Sequence, residues 1–254
     1  MPLEIVTIPC LQDNYAYLIH NNESGETALV DIPEAEPIQS VLDRKGWTLT
    51  DILITHHHWD HIDGLEQLDT STARIIGAKA DAHRLPDLTV AVSEGDELTV
   101  CGEKIGILDV SGHTIGHIAF YFPRTGAVFT ADSLMALGCG RLFEGTPAMM
   151  LASMEKFAGM PDSTLVCSGH EYTAHNARFA VTVDPKNPAL LQRVTEVNEA
   201  VNAGLPTVPS TLGQERATNP FLRSHSQGIR EALGKPDASD VEIFAEVREL
   251  RNNF

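Results

Sequence analysis

An α/β domain with a helical domain behind it is the fold class that this 254-residue sequence predicts. Three observations lead there. Short β-branched apolar runs alternate with turns and with one helix candidate over the first two thirds of the chain. Histidines and aspartates recur just after those runs, where α/β folds expose side chains over the carboxyl ends of their strands. After His170 the strand-like runs stop and helical patterns take over. The boundary falls there, giving a domain over residues 1–170 and a helical domain over residues 171–254.

Leu3 to Ile8 reads as the first strand, Asn14 to Ile19 as the second and Thr27 to Ile32 as the third. Pro37 to Lys45 reads as a helix that Gly46 ends. Asp51 to Ile54 has the pattern of a buried strand and runs into Thr55-His56-His57-His58-Trp59-Asp60-His61. Leu65 and Leu68 follow at helical spacing, so His61 is expected to open a helix. Arg74 to Ala78 and Glu97 to Val100 are short strands. Lys104 to Val110 leads into Ser111-Gly112-His113-Thr114-Ile115-Gly116-His117, where the glycines around His113 permit a tight loop. Ala119 to Phe122 and Ala127 to Thr130 are strands joined by a Pro-Arg-Thr-Gly turn, and the second reaches Asp132. Leu165 to Ser168 is a strand that ends at Gly169-His170. Beyond it, Glu171 to Val181, Ala189 to Ala203, Ile229 to Leu233 and Asp240 to Arg251 read as helices.

With 43% hydrophobic and 21% charged residues the composition is that of a globular protein. No run approaches the length of a membrane span, and no membrane association is expected. The start, Met1-Pro2-Leu3-Glu4, lacks the basic and apolar regions of a secretory signal. Cys10, Cys101, Cys139 and Cys167 are scattered without a CxxC pair, which reads as free thiols in a cytoplasmic protein. A formal net charge of -17 disfavours nucleic acid, because phosphate calls for a basic stripe. A monomer is expected.

His56, His58, Asp60 and His61 pack four imidazole and carboxylate ligands into one turn, a donor set that suits zinc, iron or manganese. His113, Asp132 and His170 each follow a β run in the same way. Residues so placed argue for one shared site on the rim of a sheet. His83 has no partner in sequence and reads as a surface residue.

The segment from Thr55 to His61 resembles the HxHxDH signature of the metallo-β-lactamase fold superfamily. Leu11 to Tyr15, Ser111 to His117, Phe129 to Asp132, Gly138 to Thr146 and Gly169 to Thr173 are similar to the glyoxalase II family, the hydroxyacylglutathione hydrolases. The resemblance implies an αββα sandwich carrying two divalent metal ions, zinc first, with iron or manganese as alternatives. His56, His58 and His113 would hold one ion, Asp60, His61 and His170 the other, and Asp132 with a hydroxide would bridge them. That hydroxide would attack the thioester of S-lactoylglutathione, and Asp60, first a ligand, could also orient it. The resemblance places Arg141, Phe143, His170, Tyr172, Arg248 and Arg251 on the substrate side. His57, His117 and Cys139 are left to packing. Two positions depart from the family pattern: Phe143 lacks a hydroxyl, and Asp63 stands where a glycine is usual. A single-iron dioxygenase, a lactonase or β-lactamase, and a binding protein without activity are the other classes on this fold. The full ligand set and the C-terminal arginines favour the thioesterase.

Overall fold

The computed structural model describes residues 3–254, so Met1 and Pro2, part of the start read above for a signal, lie outside the described residues. The chain divides into two compact units: Met1–Asp109 with Gly116–Ala131, and Val110–Ile115 with Asp132–Phe254.

The first unit contains β1 (Glu4–Cys10), β2 (Asn14–His20), β3 (Thr27–Val30), α1 (Ala35–Lys45), β4 (Asp51–Leu53), α2 (Trp59–Ile62), β5 (Arg74–Ala78) and β6 (Val90–Val92). It continues with β7 (Leu98–Val100), β8 (Glu103–Asp109), β9 (Ile118–Phe122) and β10 (Ala127–Ala131). Strands β1 to β6 form a sheet in sequence order, antiparallel from β1 to β3 and parallel from β3 to β6. Strands β7 to β10 pair antiparallel in succession. Tyr17 of β2 meets Phe129 of β10 edge-on, ring centroids 5.4 Å apart, so the two sheets face one another through aromatic packing. Helix α1 covers the other face of the first sheet, with Ile38 and Leu42 in one core with Leu18, Leu29 and Ile52.

Helix α1 begins two residues before Pro37, because proline is tolerated in the first helical turn. Gly46 ends it at φ 67, a left-handed conformation that glycine adopts without strain. Helix α2 opens at Trp59 rather than at His61: the His61 amide donates to the His58 carbonyl at 3.0 Å and closes the turn early. The register pairs Val30 with Leu53 and Leu53 with Ile76, which levels the carboxyl ends of β3, β4 and β5. The loops that leave β3 and β4 carry this unit's candidate ligands.

The second unit holds β11 (Leu134–Met135), β12 (Gly138–Cys139), α3 (Pro147–Glu155), β13 (Leu165–Ser168), α4 (Thr173–Val183) and α5 (Pro188–Asn202). It ends with β14 (Ser210–Thr211), α6 (Leu212–Thr218), α7 (Gln227–Ala232) and α8 (Asp240–Asn252). Helices α4 and α5 share a core of Ala177, Ala180 and Leu190 with Leu137. The four helices read from the sequence beyond His170 are present within two residues at each end. Helices α3 and α6 were not read, although each carries a threonine N-cap, Thr146 before Pro147 and Thr211 in a capping box with Gln214. The two-residue strand β14 interrupts a region read as free of strands; two residues carry no alternation to detect. No helix among the described residues is long and apolar enough to cross a membrane.

Phe129 is buried at 1% exposure and joins the two sheets of the first unit. Phe129→Ala is expected to lower stability by about 3–5 kcal/mol, read as a lower urea midpoint at unchanged slope.

Candidate metal centre

Asp31 follows β3 at φ 56 and is buried. The Thr55 amide donates to its Oδ1 at 2.9 Å, and the Thr55 hydroxyl to its Oδ2 at 2.8 Å. His61 Nδ1 donates to the same Oδ2 at 2.8 Å. Because the Thr55 hydroxyl gives its proton to Asp31, it accepts from His56 Nδ1, 3.0 Å away. Both imidazoles therefore carry the proton on Nδ1 and the lone pair on Nε2. His56 Nε2 lies 3.2 Å from His58 Nδ1. That spacing is close to the edge of a tetrahedron with metal–nitrogen bonds of about 2.0–2.1 Å. His61 Nε2 lies 3.9 Å from Asp60 Oδ2, which accepts at 3.2 Å from Asn14 Nδ2. The donors of Asp31, His56 and His61 all lie within 4.8 Å of one another. His57 turns away to the Asp81 carboxylate at 2.9 Å, and His117 stacks on His56 with centroids 4.5 Å apart.

The second unit brings His113, Asp132 and His170 together. His113 Nδ1 donates to the Arg141 carbonyl at 2.7 Å, which again leaves the lone pair on Nε2. Asp132 Oδ2 lies 3.4 Å from His113 Nε2 and 3.3 Å from His170 Nε2. A lone-pair nitrogen facing a carboxylate oxygen at this distance is favourable when a cation lies between them. The residue before Asp132, Ala131, sits at φ 41, strain of the kind that collects at functional sites. A Cβ on Gly140 would lie 1.9 Å from the Asp132 carbonyl oxygen and 2.8 Å from His113 Nδ1, so only glycine fits there. The His170 ring stacks on Tyr172, centroids 4.7 Å apart and planes 6° apart. Arg141 is exposed and lies over the Phe143 ring at 6.0 Å; Phe143 is itself 61% exposed. Arg248 is buried, and its Nη1 donates to the Cys139 carbonyl at 2.8 Å. Arg251 donates to Asn176 Oδ1 through Nε and Nη2. Burial pushes the Cys139 thiol up, which makes it a poor nucleophile. Neutral imidazoles and carboxylates with fixed donor atoms fit divalent metal ions on the chemistry of the set.

The profile described as the metallo-β-lactamase superfamily matches residues 12–170, and the one described as the hydroxyacylglutathione hydrolase C-terminus matches residues 171–254. A hydroxyacylglutathione hydrolase of Ruegeria pomeroyi is 61% identical over 255 residues, covering 100% of both chains. Another, of a Jannaschia species, is 57% identical and covers 99% of this chain and 98% of its own. The chain belongs to the hydroxyacylglutathione hydrolase family. Its fold is that of the metallo-β-lactamase superfamily with the family's helical C-terminal domain. The crystal structure of ETHE1 from Myxococcus xanthus, 23% identical, has the same fold at a TM-score of 0.65, covering 98% of this chain and 90% of that one.

Within this family the Asp63 departure is readily accommodated. Asp63 lies at φ -64, a helical value open to any residue, whereas a Cβ on Gly64 would come within 2.8 Å of Ile32 Cγ2. Sequence reasoning missed Asp31, Asn14 and Asp81. Asp31 had the signal already used for the ligands, an aspartate at the end of a β run. Asn14 and Asp81 had none, because their partners lie 46 and 24 residues away.

Asp31→Asn keeps the shape of the side chain but puts an amide where two donors meet one carboxylate oxygen. It is expected to weaken metal binding about 10–100-fold, read by competition with a chromophoric chelator while circular dichroism stays that of the parent.

Proposed function

We propose that the chain hydrolyses S-(2-hydroxyacyl)glutathione thioesters such as S-lactoylglutathione to glutathione and the 2-hydroxy acid. The reading rests on the family and on one observation above all: a single oxygen, Asp132 Oδ2, stands between two imidazole nitrogens at 3.3 and 3.4 Å. A carboxylate so placed suits a bridge between two ions. On this reading His56, His58 and His113 hold one ion, and Asp60, His61 and His170 the other. Zinc is the first candidate, with iron and manganese suited to the same donors. A protein of the same fold, TTHA1623, 26% identical over 86% of this chain and 100% of its own at a TM-score of 0.59, is described in a di-iron-bound form.

When bound, such a pair supplies a water acidified toward neutrality and positive charge for the thioester carbonyl oxygen. The protein's part is placement. Asn14 holds Asp60 by both its backbone and carboxylate oxygens, which fixes the carboxylate that would orient the attacking water. Asp31 and the Arg141 carbonyl fix three imidazoles in one tautomer. A thiolate leaves without strong acid help. Four free cysteines, all buried, are compatible with a reducing, cytoplasmic setting.

The substrate is anionic and the chain carries -17 before any metal, so capture depends on local cations. Arg141 is exposed and its own carbonyl holds the His113 imidazole, so its guanidinium is placed here to meet a glutathione carboxylate. Phe143, Tyr172 and Arg251 would line the same region, and His170, stacked on Tyr172, would meet the substrate as well as the ion.

The test is hydrolysis of S-lactoylglutathione with elemental analysis of the same sample. Two tightly held ions per chain and thioester cleavage are expected, and Asp132→Ala is expected to lose both together. Full activity with at most one ion would sink the two-ion reading. Arg141→Ala is expected to lower kcat/KM roughly ten- to a hundred-fold, through KM, since a charge-assisted hydrogen bond is worth about 1.5–3 kcal/mol. Steady-state kinetics on metal-replete protein would measure it.

A further inference from the structure

Between Asp132 and Arg141 the chain turns through the hairpin of β11 and β12. Strands of two residues cannot satisfy their own backbone, and the groups they leave over are buried. Side chains from the helices take them, one residue after another. Asn219 Nδ2 donates to the Met135 carbonyl at 3.0 Å and to the Gly138 carbonyl at 2.9 Å. Asn176 Nδ2 donates to the Ala136 carbonyl at 3.0 Å. Glu215 Oε2 accepts from the Leu137 amide at 2.8 Å. Arg248 Nη1 donates to the Cys139 carbonyl at 2.8 Å and lies 3.5 Å from the Gly140 carbonyl. Five consecutive residues, Met135 to Cys139, thus have a backbone group held by a side chain from α4, α6, α8 or the residue that ends α6.

The holders are themselves held. Asn176, Glu215, Asn219 and Arg248 are all at most 6% exposed. Glu215 Oε1 accepts from Arg193 and from the Ser210 hydroxyl. Asn176 Oδ1 accepts from Arg251 at 3.0 and 3.2 Å. Arg248 lies over the Phe221 ring at 5.1 Å, and its Nε donates to Asn252. Frameworks of this kind are rigid because each buried polar group has a partner it cannot exchange for water.

The frame ends at the metal ligands. The Gly140 amide donates to the Ser133 carbonyl at 3.1 Å, and the backbone there is so close to Asp132 and His113 that a Cβ on Gly140 would collide with the Asp132 carbonyl and His113 Nδ1. The next carbonyl, that of Arg141, fixes the His113 tautomer. A shift of the 139–140 backbone therefore reaches both ligands. Arg248, by contrast with exposed Arg141, is buried and donates to backbone, which suits a clamp.

We propose that Arg248 is a positioning residue for the metal ligands: by holding the Cys139–Gly140 turn it sets where Asp132 and His113 stand. Arg251 acts one step removed, through Asn176. The helical C-terminus thereby governs metal affinity as well as substrate capture. This rests on the reading that Asp132 and His113 bind metal.

The experiment compares the full-length parent with Arg248→Ala, Arg248→Lys, Arg251→Ala and Arg141→Ala. Each is stripped of metal, checked by circular dichroism and titrated with zinc against a chromophoric chelator. Arg248→Ala is expected to bind zinc at least tenfold more weakly, Arg248→Lys to recover part of the loss and Arg251→Ala to show a smaller loss. Arg141→Ala should stay within twofold of the parent. Zinc affinity within twofold of the parent in Arg248→Ala overturns the inference, whatever happens to KM. If Arg248→Ala does not fold, parent-like affinity in both Arg248→Lys and Arg251→Ala overturns it equally. A parent that takes up no zinc refutes the site reading itself, an outcome distinct from equal binding by parent and variants.

Discussion

The Asp31 carboxylate, buried at the carboxyl end of β3, accepts three hydrogen bonds, and the order of the first unit's candidate ligands depends on them. An imidazole can offer either ring nitrogen to a metal, and nothing in its own sequence position decides which. Asp31 decides it for His61 directly and for His56 through the Thr55 hydroxyl. The same carboxylate ties the loop after β4 to the end of β3 by the Thr55 amide. One residue thus converts a histidine-rich turn into a set of aimed donors, at the cost of a left-handed backbone that aspartate tolerates better than most residues.

The second unit solves the same problem with backbone instead of carboxylate. The Arg141 carbonyl orients His113, and that carbonyl is placed by a hairpin with little pairing of its own. Side chains from α4, α6 and α8 replace the missing ladder. Both solutions follow one rule: the atom that touches a ligand is only as well placed as the group behind it.

The parts of the fold and site that sequence could reveal are those whose signal is local. The candidate ligands could be singled out because each follows an apolar strand, and four of the late helices were legible from period and breakers. Asp31 escaped because its role depends on Thr55 and His61, which lie 24 and 30 residues away. The position of Arg248 escaped for the same reason on a larger scale, since its carbonyl partner lies 109 residues earlier. The sequence of α8 shows two arginines on one helix end, which alone reads as substrate capture or as a solvated terminus. Helix α3 was overlooked even though Thr146-Pro147 is a sound start signal, because the run that follows it lacks a clear polar face.

The glycines of the loop after Asp132 set an uneven tolerance to change over a very short span. At Gly138 a methyl group would sit 2.5 Å from Asn176 Nδ2, and at Gly140 it would sit 1.9 Å from the Asp132 carbonyl. Three residues on, Phe143 stands 61% exposed. Mutational freedom in this loop therefore runs from none to nearly full within six residues. A library built to alter acyl or thiol preference would be best spent at 141 and 143, and a neutral drift of the family would leave its record at 143 while Gly138 and Gly140 stayed silent.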